Sequence, residues 1–296
     1  IASCRVGSEM CIRDRQGRAR IRQLLLLGSG LLALAALVSI INFYGLQGKS
    51  LLARLAGIGE ISHPILGAYV IGSAVLFLLY EPPRQRGMQL LWLAALVCLG
   101  AFAMLSQSRG AVLALVITVV IAPLWFRDRH SQVFSILALV ATGLAFFVVY
   151  DLIAKRGSSY RPEIFNAVID MIAAHPWTGL GLGAAYDVSA VGKHFDHTHN
   201  MFTHVAVEMG IPGMLLWVIV WLFTLGEIIR ARGTLFGKIL LGFWVYSTLA
   251  MQFDAASLTG TPRAEWFISW LPVGLAMMLP WGRAENGACG KISGST

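Results

Sequence analysis

The chain has 296 residues, of which 57% are hydrophobic and 13% charged, and its formal net charge is +8. Soluble domains carry roughly one-quarter charged residues, so that class is excluded. The basic residues are dispersed among short connections instead of gathering on one soluble face, which argues against nucleic acid as a partner.

Residues 1–20 read as a non-native or cytoplasmic tail. Arginines run directly into the first apolar stretch with no small-residue cleavage site, so no cleavable signal is expected. Residues 6–15, VGSEMCIRDR, resemble translated cloning sequence. The natural amino terminus, with further helices, is therefore expected to lie beyond this chain. Apolar runs follow at 24–44, 63–80, 88–105, 110–126, 133–150, 201–225, 238–253 and 266–281. Most have the ~17–25 residues that cross a ~30 Å hydrocarbon layer as helices. The expectation is an all-α, polytopic bundle of about eight transmembrane spans over residues 21–281, with 282–296 as a cytoplasmic tail. The four cysteines show no metal or disulfide spacing.

With the amino terminus inside, the inner segments hold fifteen of the Lys and Arg residues and the outer segments eight. The positive-inside rule then places both tails in the cytoplasm and the one long connection, 151–200, outside. Long ordered loops in compact proteins are commonly functional. Within this one, Ile164, Val168 and Ile172 form an i, i+4 row, with Phe165 and Ile169 beside it and Asn166 and Asp170 opposite. The pattern predicts an amphipathic helix along the outer membrane interface. Ser158 or Ser159 would cap it, Pro162 would sit in its first turn, and His175-Pro176 would end it.

Several residues are placed to do chemistry. Arg109, in SQSRG, lies between two spans; an arginine at membrane depth costs roughly 2.5–3.5 kcal/mol on insertion scales, so near a helix end it either snorkels or binds an anion. Arg161 opens the loop helix, where free N–H groups and the dipole also favour an anion, although an arginine on a wet loop is ordinary. The stretch KHFDHTHN supplies His194, Asp196, His197 and His199. Its spacing matches no zinc signature, and a histidine general base acting near neutral pH is the alternative. His204 and Glu208, one turn apart, could pair structurally. Gly179, Gly181 and Gly183 follow no strand and precede no P-loop lysine, so tight turning explains them better than nucleotide binding.

His199-Asn200, nine residues, Gly210, two residues and Gly213 fit the pattern H-[NSQ]-x9-G-x-x-[GTY], and the chain here resembles the bacterial O-antigen ligases. Related lipid-linked oligosaccharide polymerases and protein O-oligosaccharyltransferases share much of it. SHPILGAY at 62–69, SQSRGAVLAL at 106–115 and RPEIFNAVIDMIAAHPWTGLGLG at 161–183 agree. The resemblance implies catalytic roles for Arg109, Arg161 and His199, the two arginines gripping pyrophosphate, with Asn200, Gly210 and Gly213 in support. It implies a glycosyltransferase without metal, nucleotide sugar or other cofactor. Its donor would be an undecaprenyl-pyrophosphate-linked glycan and its acceptor lipid A-core, at the periplasmic face of the bacterial inner membrane. A polymerase or protein O-oligosaccharyltransferase is the neighbouring reading. A transporter or flippase is disfavoured because the ionisable residues gather at one surface, not at mid-membrane.

Overall fold

The computed structural model describes residues 2–156, 160–254, 258–259 and 263–279, with side chains for 17, 19–144 and the described residues from 160 onward. It is mostly helical. Helix α1 (Ala2–Ile40) runs into a π-helical turn, Ile41–Leu46. Then come α2 (Pro64–Leu79), α3 (Arg86–Leu105), α4 (Arg109–Ile121), the short α5 (Pro123–Phe126) and α6 (Arg129–Arg156). The loop region contributes α7 (Arg161–Ala174) and a hairpin of β1 (Val188–Ala190) and β2 (Lys193–Phe195), before α8 (Met201–Arg230), α9 (Leu235–Met251) and α10 (Trp270–Met277). Among the described residues, four segments are long and apolar enough to cross a membrane: Ala19–Leu46, Arg86–Leu105, Arg109–Phe126 and Met201–Arg230. The stretches expected as the second and seventh spans are apolar helices of 16 and 17 residues. In the eighth the helix has only 8 residues.

Helix α2 is the centre of the bundle. Its sequence is apolar on every side, as a fully surrounded helix must be. One face (Ala68, Tyr69, Leu76, Phe77) joins a core with α4, α8, α9 and α10. The other (Val70, Ile71, Ala74, Val75) joins a second core with α1 and α3. Gly72 lets α9 approach, since a Cβ there would lie 2.2 Å from the Tyr246 hydroxyl, which donates to the Tyr69 carbonyl at 3.1 Å. Large apolar side chains of α1, α3 and α8, among them Leu24, Leu31, Leu90, Leu91, Leu216 and Phe223, face outward. In lipid such a face needs no cover.

The long loop is folded. Ile164 and Val168 are buried against Val188, Ala190 and Val207, with Ile172 and Phe195 at the edge, so the first predicted row is the inward face of α7. Phe165 and Ile169 remain exposed. Pro162 lies in the first turn and His175 is the C-cap, as expected, but the N-cap residue is Tyr160 in left-handed conformation, with no side-chain cap. Ser158 and Ser159 lie outside the described residues. The hairpin was not anticipated. Its strands have three residues each, too few to show a period, and Val191-Gly192 turns it with both φ positive, the two-residue geometry that matches strand twist.

Helix α8 is broken at Gly210 (φ 69°, ψ −178°), with Pro212 two residues on. The break frees the Val207 and Glu208 carbonyls, because the Ile211 N–H turns away and Pro212 has none. The loop takes up all three groups. Leu180 N–H donates to Val207 O (2.8 Å), Gly181 N–H to Glu208 O (2.9 Å), and Ile211 N–H to Pro176 O (2.8 Å). Inside a bilayer every backbone polar group needs such a partner. The contact is backbone against backbone, and a Cβ on Gly210 would fall 2.6 Å from the Trp177 carbonyl carbon. Gly179 meets Glu208 in the same way from the other side. The glycines of TGLGLG therefore serve close approach as much as turning.

Candidate functional site

Each candidate side chain projects from the start of an element. Arg109 is the first residue of α4, Arg161 the first of α7, and His199 directly precedes the N-cap Asn200 of α8. The Asn200 side chain accepts from the N–H groups of Phe202 (2.9 Å) and Thr203 (3.2 Å), the usual way to satisfy a helix start. Three residues at these starts have left-handed backbone: Gln107 (φ 51°), Tyr160 (φ 60°) and His199 itself (φ 53°). Such conformations cost about 1–3 kcal/mol each and persist where surrounding structure enforces them, commonly at functional sites.

Arg109 and Arg161 line one cavity of about 340 Å³, together with Arg54, Tyr69, Gln107 and Ser108. That volume lies at the small end of the range for ligand pockets, about 300–1,000 Å³. Arg161 is steered by its Nε donating to the Phe253 carbonyl at 3.1 Å. Gly110 makes room for this contact, since a Cβ there would lie 2.6 Å from Phe253 Cβ. Arg54 is anchored by Nε donating to the Ser106 carbonyl at 2.8 Å.

The residue after Phe253 organises the histidines. Asp254, nearly fully buried at the end of α9, takes His197 Nε2 at 3.0 Å and His199 Nδ1 at 3.2 Å on the same carboxylate oxygen. Burial alone would raise its carboxyl, but hydrogen bonds from both histidines, with their charges, outweigh that and hold it well below the ordinary carboxylate range. His197 also faces Asp196 through Nδ1 at 2.6 Å. An imidazole can donate from both nitrogens only when protonated. Burial would lower His197, but Asp254 and Asp196 outweigh it and raise its pKa. Among the described residues His199 bonds through Nδ1 to Asp254, and Nε2 lies on the opposite side of its ring. His63, the N-cap of α2, borders the group: burial lowers its pKa, with Asp254 opposing and Arg54 and His197 adding to the shift.

His197, His199 and Asp254 each offer one atom, all within 4.8 Å of one another, a spacing that could also hold a cation. The other histidines of the cluster lie elsewhere. His194 is exposed on β2 and pairs with Asp187 and with Ser189 Oγ (3.2 Å). His204 is buried in α8 between Tyr186 Oη (2.5 Å) and Glu208 (3.5 Å), the structural pairing expected from their spacing. His197 does not share the exposed setting of His194, because two carboxylates engage it. Asp254 and Arg54 were missed. Arg54 had been counted only as an outer charge. Asp254 was visible only as an acidic residue directly after an apolar run.

Residues 94–218 match the family model described as O-antigen ligase. A curated O-antigen ligase of Pseudomonas aeruginosa is 29% identical over 237 residues, covering 76% of this chain and 57% of the relative. The chain thus spans little more than half of that relative's length.

Proposed function

From the premise these matches support, membership of the O-antigen ligase superfamily, we propose that the chain transfers a glycan from undecaprenyl pyrophosphate to a sugar hydroxyl of lipid A-core. The observation that carries the reading is the adjacency of Phe253 and Asp254, one holding an arginine of the cavity and the other holding the histidine pair. This adjacency supports a reading in which the leaving diphosphate and the base lie side by side.

In this reaction His199 Nε2 takes the proton of the acceptor hydroxyl as its oxygen bonds to the anomeric carbon. The anomeric carbon–oxygen bond breaks on the opposite face, its electron pair leaves with the diphosphate, and the centre inverts. Asp254 orients His199 and balances the imidazolium that forms, as the carboxylate of a Ser-His-Asp triad does. Arg109 and Arg161 meet the charge on the departing diphosphate. Asn200, Gly210 and Gly213 hold the start of α8 in place; a Cβ on Gly213 would meet the Met209 side chain across the break. The setting is an eight-span bundle over residues 21–281, with 151–200 at the periplasmic face of the inner membrane.

The reaction is proposed to be metal-free, a reading supported by the two carboxylates that already engage both ring nitrogens of His197. A metal-held version is favoured by the spacing of the three donors alone. Chelation separates them: loss of transfer restored by zinc establishes the metal version, and unchanged transfer the metal-free one. The reaction itself is tested by the lipopolysaccharide of a deletion strain. Loss of all long chains with build-up of polymerised lipid-linked glycan is expected. Core bearing a single repeat would instead identify a polymerase.

A further inference from the structure

The cavity beside the histidines has a third guanidinium and a hydroxyl that the reaction above does not use. Tyr69, a residue lining the cavity, is completely buried on α2, and among the described residues its hydroxyl has no hydrogen-bond partner. Buried polar groups in native proteins are rarely left this way. Nothing about the residue is loose: its carbonyl accepts from Ser73 Oγ (2.9 Å) and Tyr246 Oη (3.1 Å). Gly110 lies next to the hydroxyl, with an ideal Cβ only 3.3 Å away. A side chain at position 110, itself on the cavity lining, would crowd both this hydroxyl and Phe253. Arg54 reaches the same cavity from the segment before α2, tied to the carbonyl of Ser106 three residues before Arg109.

We propose that Arg54 and Tyr69 complete the diphosphate cradle, Tyr69 donating its hydroxyl to a phosphate oxygen and Arg54 supplying a third positive charge to the leaving group. This rests on the transfer reaction proposed above. The charge balance favours a third cation beside the two arginines. A diphosphate bonded to both lipid and sugar carries two negative charges, and breaking the sugar bond adds a third. A third guanidinium therefore interacts more strongly with the departing group than with the intact donor, which is how binding energy lowers a barrier. Tyr69 gives the same oxygens a neutral donor in a dry corner, where a hydrogen bond to an anion is strong.

The full chain, purified in detergent, is tested for binding of undecaprenyl diphosphate, undecaprenyl phosphate and phosphatidylglycerol, using competition against a fluorescent undecaprenyl diphosphate and thermal shift. Tyr69→Phe is expected to weaken diphosphate binding about tenfold or more, with a smaller effect on the monophosphate. The same variant should melt at a higher temperature without ligand, because it deletes an unsatisfied hydroxyl, and show a smaller shift on adding diphosphate. Arg54→Gln should lower kcat more than it raises KM, and Arg54→Lys should recover part of the loss. If Tyr69→Phe and Arg54→Gln bind diphosphate normally while Arg161→Ala does not, the cradle consists of two arginines and the proposal is wrong. If phosphatidylglycerol competes as well as the diphosphate, the cavity takes lipid headgroups and the proposal is equally wrong. If Arg161→Ala also binds normally, the placement of the leaving group fails, and with it the reaction on which this inference rests.

Discussion

Replacing Asp254 with asparagine tests the link between the buried carboxylate and the base. The substitution keeps size and shape, and the amide oxygen can still accept from His197 Nε2 and His199 Nδ1. What it removes is the charge. A neutral hydrogen bond contributes about 0.5–1.5 kcal/mol and one to a charged group about 1.5–3, so each bond loses on the order of 1–1.5 kcal/mol. Only the bond to His199 bears on the base, so the expected loss is about 1–1.5 kcal/mol, or roughly 5- to 13-fold in rate at 1.36 kcal/mol per decade, while the loss at His197 falls on stability. Transfer is measured with lipid-linked glycan and lipid A-core in membranes matched for protein level. Because Asp254 acts through His199, the double variant Asp254→Asn/His199→Ala should be no slower than His199→Ala alone. Wild-type rates in Asp254→Asn, or fully multiplicative losses in the double variant, would refute the dyad.

His199→Ala should reduce transfer about a hundredfold or more, whereas His194→Ala, on the exposed hairpin, should leave it close to normal; equal losses in the two would detach the base from His199. Arg161→Lys keeps the charge but not the planar fork, and should recover little of the activity lost in Arg161→Ala; full recovery would show that charge alone suffices. The raised pKa of His197 gives stability that is complete below its ordinary value of 6.5 and is lost as pH rises through the higher folded value. The melting temperature of the wild type minus that of His197→Gln should therefore shrink as pH is raised above about 6.5, and a constant difference would mean that His197 is not charged in the fold. Gly210→Ala, which needs a left-handed residue and meets the Trp177 backbone, should cost at least about 2 kcal/mol in detergent unfolding. Gly226→Ala, lower on the same helix with nothing within 4 Å of its Cβ, should cost none.

What could be read from the sequence followed from period and from local rules. The spacing of Ile164, Val168 and Ile172 gave the inward face of α7, and the apolar run from 201 gave α8. The pairing of His204 with Glu208 needed only one helical turn. Asp254 was out of reach for a different reason: it meets His199 across 55 positions, and no periodicity encodes that meeting. Arg54 had a ready explanation as an outer charge, which hid its place in the cavity. His197 and His194 look alike in KHFDHTHN, and only the three-residue strand β2, too short to register as a pattern, sends His194 to the solvent while the chain beyond it carries His197 to Asp254. The glycines at 179 and 210 were noticed separately, yet their purpose is mutual and tertiary.

The three hydrogen bonds that join the 176–181 segment to the break in α8 make loop and helix one mechanical part. The height of His199 above the hydrocarbon is then set by how α8 sits in the bilayer and not by slack in the loop. A donor anchored by its polyprenyl tail presents its scissile bond at a level fixed by the headgroup plane. For the proposed reaction with such a donor, α8, held at its bend, would act as a ruler. Membranes thinner or thicker than the native one would tilt that helix and carry His199, the proposed base, off the plane of the donor's bond, so turnover should fall on either side of a matched thickness with the site itself intact.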